Sequence, residues 1–158
     1  MSGDEVVASY FDTCEQLYNF IRRPNVKSLY TGQSLKRILD QRWEGHLAAA
    51  RAVNRSLNDI LEILHVCKQK VGETAVLASG LLSRVNELQF RFLAKCIPDL
   101  LAKLDVPNKI LQSRSASLED GIRVITEVRG IIVDMNNTNA FDHYWNQLND
   151  SMVSANMR

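Results

Sequence analysis

Apolar residues recur along this chain at steps of three and four, the repeat of one helical face, and almost nowhere alternate. Val7, Tyr10, Cys14, Leu17 and Ile21 make the first such stripe. Pro24 ends it, because the residue before a proline is steered away from the helical region. A short helical piece around 26–30 closes at Gly32, and residues 32–40 form a polar connection that the pattern assigns neither to helix nor to extended chain. A long helix is expected from Asp40 or Trp43 to Val71, with Val53, Leu57, Ile60, Leu64, Cys67 and Val71 on one face. Asp40 would be its N-cap and Gly72 its left-handed stop. The next stripe, 74–104, runs through Leu81, Val85, Leu88, Phe92, Leu93, Ile97, Leu100, Leu101 and Leu104. Pro98 inside it predicts a kink or break near 94–97, since it deletes one i→i−4 hydrogen bond. Asp105-Val106-Pro107 predicts a fresh short helix through Leu111. Ser117-Leu118-Glu119-Asp120 has the form of a capping box, opening a helix with Leu118, Ile122, Ile125, Val128 and Ile132 on one face. Asn136 to Asn139 form a turn cluster, and Phe141, Tyr144, Trp145, Leu148 and Met152 mark a last helix.

Ile131-Ile132-Val133 is the only short β-like run, and it sits in helical phase. The fold class this predicts is all-α, an antiparallel multi-helix bundle. It covers 1–158 as a single helical domain or domain fragment, with a leading helix and short piece in 1–31 and long antiparallel helices over 40–155. A chain of 158 residues is long enough to bury a core. Its net charge of +1 gives no whole-chain footprint for nucleic acid, so any such role must rest on a local patch. No apolar run approaches the roughly 20 residues needed to cross a bilayer, and no membrane partner is expected. The first residues lack the basic and apolar regions of a secretory signal. Cys14, Cys67 and Cys96 are odd in number and far apart, as expected of reduced, buried thiols in the cytosol or nucleus.

Candidate chemistry is sparse. His46, His65 and His143 have no i,i+4 partner, and His65 and Cys67 point to different sides of a helix, so no metal site is expected. There is neither a phosphate-cradling glycine loop nor a nucleophile elbow. Asp4-Glu5 and Glu119-Asp120 suit helix N-termini better than acid–base work. The chain is therefore read as a non-enzyme with no catalytic residues and no cofactor. One constellation stands apart: Arg42-Trp43, with Lys36 and Arg37 upstream. In one reading the indole stacks on a nucleic-acid base, worth about 1–3 kcal/mol, while the three cations meet phosphates. In the other, Trp43 is the first inward residue of the long helix and Arg42 reaches out to solvent. Trp145, in phase with Phe141 and Leu148, reads as core.

The order of elements resembles a stretch of the hAT superfamily of DNA transposases and their host-derived relatives, such as the zinc finger MYM-type family. The pieces that carry the resemblance are Phe11-Asp12, Leu17-Tyr18-Asn19-Phe20, the run Leu35 to Trp43, the long helix to Val71 and the segment Leu88 to Leu104. Asn108-Lys109-Ile110-Leu111-Gln112 before Ala116-Ser117-Leu118 completes it, over residues 6–150. The resemblance implies the helical insertion domain of a ribonuclease-H-like transposase, without that family's metal-binding acidic residues and therefore catalytically incomplete. It implies a nuclear protein with DNA as partner, contacted at a transposon end by Trp43 with Arg42 beside it. A second expectation comes from the stripes themselves. Heptad-like apolar faces pack between chains as readily as within one, which predicts an interaction module that self-associates, binds a partner helix or docks on the domains of a parent protein.

Overall fold

The computed structural model describes residues 3–38 and 43–156, with the side chains of all these except 43 and 151–156. Among the described residues there are eight α-helices and no strand: α1 Gly3–Ile21, α2 Pro24–Lys27, α3 Trp43–Arg55, α4 Leu57–Lys68, α5 Glu73–Asn86, α6 Leu88–Gln112, α7 Leu118–Met135 and α8 Thr138–Asn156. The protein is all-α. It divides into two compact units, Met1–Ala94 and Lys95–Arg158.

In the first unit α1 buries Tyr10, Cys14, Leu17 and Ile21 of the expected stripe, with Phe20 beside them, while Val7 at its start stays exposed. Thr13 is buried on the same helix, and its hydroxyl donates back to the Ser9 carbonyl at 2.9 Å, so its own oxygen is not left unpaired. Pro24 both ends α1 and starts α2, at the first helical position, where its missing N–H costs nothing. α1 lies against α3 and α5, and α4 packs along α5 as a helical hairpin.

The single helix expected to reach Val71 is two. Ser56, fully buried, leaves helical geometry at φ −103°, ψ 14° and bends the chain between α3 and α4. The ladder continues on either side, from Ser56 N to Ala52 O at 3.1 Å and from Ile60 N to Ser56 O at 2.8 Å. A serine supports this local departure because its side chain loses little by leaving the helix. α4 then stops at Lys68, so Val71 lies beyond it and is 97 % exposed rather than buried. Gly72, at φ 92°, does adopt a conformation that favours glycine, but it turns the chain into α5 rather than closing α4. The proposed N-cap Asp40 lies outside the described residues.

A second interruption falls at Glu87, which is extended at φ −60°, ψ 132°. The helical register restarts there, which buries Phe90 and leaves Leu88 exposed. From Leu88, α6 runs 25 residues through both Pro98 and Pro107, so of the expected kink or break near 94–97 no break occurs, and no separate short helix starts at Pro107. Each proline removes one amide donor at a cost of about 3 kcal/mol in an isolated helix. Both rings are buried here, and their apolar contacts offset part of that loss.

Among the described side chains the second unit buries Ile97, Pro98, Leu101 and Pro107 of α6, Val124 of α7, and Tyr144 and Leu148 of α8. The capping box forms as the sequence predicts. Asp120 N donates to Ser117 Oγ at 3.1 Å, and Ser117 N donates to Asp120 Oδ2 at 3.0 Å. The turn from α7 to α8 is Asn136 and Asn137, and Asn137 Oδ1 accepts from Ala140 N at 2.8 Å to cap α8. The Tyr144 hydroxyl bonds Asp99 Oδ2 at 3.2 Å and ties α8 to α6.

Candidate functional site

α7 is the helix whose amphipathic pattern and burial disagree. Its inward residue is Val124, 1 % exposed, with Val128, Ile131 and Met135 half-buried on the same side. Leu118, Ile122 and Ile125 are 84 %, 61 % and 69 % exposed, and Ile132 and Val133 are also more than half exposed. At 100° per residue these five occupy a separate arc, beside the buried one and open to solvent. The stripe that the sequence placed toward the bundle is thus the outer face of α7. The helix is apolar around more than half its circumference, and the rest of its unit covers only one side.

Polar groups frame this arc. Asp120 is paired with Arg123 at 2.7 Å. The Ser117 amide and hydroxyl, and then Arg123, hold its carboxyl below the usual carboxylate range. Arg129 sits within the apolar arc and Glu119 at its edge. Among the described residues, neither has an ion-pair or side-chain hydrogen-bond partner. On α8, Phe141 is exposed and stacks on Trp145 with ring centroids 5.9 Å apart and planes 14° from parallel. Trp145 is half-buried rather than a full core residue.

The polar connection places Lys36 and Arg37 at the surface, both exposed. Leu35 between Ser34 and Lys36 is buried and anchors the segment. Glu15 of α1 reaches this stretch twice: Oε2 accepts from Ile38 N at 3.1 Å, and Oε1 stands 3.8 Å from Arg37 Nε. Arg42 lies outside the described residues. Trp43 is the first residue of α3, and its side chain is not described. In the next turn the His46 ring meets Phe11 edge-on at 4.9 Å. Sequence reasoning missed Glu15, because a contact from α1 leaves no trace in local spacing.

Other features are structural. A groove of about 440 Å³ between α1 and α5 is bracketed by the pairs Arg23–Glu73 at 3.1 Å and Arg84–Asp12 at 3.3 Å, so its charges are already matched. Burial pushes the Cys14 thiol up to about 12 and the Cys96 thiol to about 11. Tyr144 rises to about 12 through burial and then through the Asp99 charge. Among the described residues no group of three His, Cys, Asp or Glu side chains is placed to hold a metal ion, and no helix is long and apolar enough to cross a membrane. No family model, curated protein or solved structure matches this chain.

Proposed function

We propose that this chain is a helical protein-interaction module whose recognition surface is the outward face of α7. The observation that carries this reading is the exposure of Leu118, Ile122, Ile125, Ile132 and Val133 along one helix. A monomeric protein rarely leaves so continuous an apolar strip in water, and covering it is favourable at about 25 cal/mol for each Å² of apolar surface removed. Spacings of three and four suit the groove of another helix or a pair of helices. The capping box and the small core behind Val124 hold the strip on a regular element. A photoreactive residue in place of Ile125 tests the reading in cells. Crosslinks to protein from this position, absent from an equivalent probe at Glu127 on the far side of α7, are expected. Equal labelling at the two positions would refute it.

A second reading follows from the exposed Lys36 and Arg37 side chains. With Arg42 and Trp43 they would contact a DNA end in the manner the transposase resemblance implies, in a nuclear protein that is not itself an enzyme. Fluorescence anisotropy with a labelled hairpin DNA checks it. Binding that survives Trp43→Ala and Lys36→Ala/Arg37→Ala unchanged would remove it.

A further inference from the structure

We infer that the occupant of the α7 face is a second copy of this chain, laid antiparallel across a two-fold axis; this rests on the interaction reading above. Leu118, Ile122, Ile125, Arg129 and Ile132 follow one another at alternating steps of four, three, four and three, the seam of a two-helix coiled coil. Arg129 is the one charge in that seam, and it decides the orientation. A parallel pair would set Arg129 against Arg129 of the second copy, two like charges in one layer. In the antiparallel pair with Ile122 opposite Ile125 of the second copy, Arg129 falls opposite Leu118 of the second copy, beside its Glu119. The two-fold axis makes that ion pair twice. Glu119 beside the seam and Arg129 within it also lack a partner within the chain, among the described residues. Asp120, by contrast, is already engaged by Ser117 and Arg123.

The area agrees with a reversible dimer. In this register Leu118, Ile122 and Ile125 face the second copy, while Ile132 and Val133 lie opposite residues that precede its α7, so the paired aliphatic side chains offer roughly 400 Å² per copy, about half of the 800 Å² per partner in a standard interface. The four paired layers, from Leu118 to Arg129, span about 17 Å at 1.5 Å per residue. An interface smaller than a standard one, with two ion pairs, belongs with self-association weaker than about micromolar.

Sedimentation equilibrium of the whole chain across a wide concentration range tests this. A monomer–dimer equilibrium is expected. Ile125→Asp, at an exposed position that leaves the helical circular dichroism unchanged, should abolish it. Glu119→Arg alone and Arg129→Glu alone should each weaken dimerisation about tenfold or more, and the two together should restore it to within about threefold. A chain that stays monomeric throughout, or a dimer indifferent to Ile125→Asp and to the charge exchange, overturns the inference. Photocrosslinking from position 125 separates this failure from failure of the interaction reading. Crosslinks between two copies support both. Crosslinks only to a different protein, or only within one chain, overturn the second-copy inference, and the former leaves the interaction reading standing. Absence of any crosslink overturns both.

Discussion

Val124 and Ile125 are neighbours in sequence and opposites in environment, one sealed in the core of the second unit and the other 69 % exposed. Their truncations therefore separate burial from composition. Val124→Ala removes two buried methyl groups, a transfer loss of about 1.6 kcal/mol at 0.8 kcal/mol per group. A residual cavity adds to this, and the better helix propensity of alanine returns about 0.5 kcal/mol, leaving a net cost of about 2 kcal/mol. Ile125→Ala deletes more carbon, but only about a third of that surface is shielded. Its loss of about 0.7 kcal/mol is nearly cancelled by helix propensity. In a unit of this size about 2 kcal/mol corresponds to a fall in Tm of roughly 10 °C, and the second variant should move by no more than about 2 °C. The two tryptophans fall one in each unit, so a Trp43→Phe background lets Trp145 fluorescence report urea unfolding of the second unit alone. Low protein concentration removes any contribution from association by mass action. If Ile125→Ala costs as much as Val124→Ala under these conditions, the outer stripe is covered within the monomer and the docking surface does not exist.

Asp120 carries a sign that can be checked by pH. Its folded-state pKa is depressed, chiefly by the Ser117 amide, so its contribution is present above the ordinary carboxylate range and is lost as pH falls through the folded value. Asp120→Asn should flatten that part of the acid limb of a Tm–pH profile, and an unchanged limb would contradict the assignment. Gly32→Ala should destabilise by about 1–3 kcal/mol in thermal unfolding, because a Cβ there would collide with the Tyr30 hydroxyl and come within 2.7 Å of Asp59 Cβ. Cys14, buried and pushed to about 12, should be silent to a thiol reagent at pH 8 in the folded protein and react once urea is added; fast labelling of the native thiol would refute its burial.

Local features of the fold were legible wherever one residue type dictates a backbone state. Pro24 marked the end of α1, Ser117 and Asp120 marked the start of α7, and the three–four spacing from Tyr10 to Ile21 gave the buried side of α1. Ser56 and Glu87 were not legible, because each bends a segment whose apolar phase continues past it, and only tertiary packing fixes where the bend falls. Pro107 misled for the complementary reason, and Pro98 produced no break: burial of their rings supports a helix that local rules could end. The α7 stripe was visible as a stripe. Its direction was not, since periodicity states which residues share a face and leaves open whether protein or water lies opposite. Lys36 and Arg37 were recognisable as surface cations, whereas their tether to Glu15 depends on a contact between distant parts of the chain.

That tether has a consequence for proteolysis. Lys36 and Arg37 are two trypsin sites on exposed, irregular chain, the kind of stretch that is ordinarily nicked first. A protease must pull several residues into its cleft in extended form. Here Leu35 is seated in the core and the Ile38 amide is bound by Glu15, so neither end of the scissile stretch is slack. Digestion at these two sites should wait on local opening, and Glu15→Ala should turn a resistant loop into the first place the chain is cut.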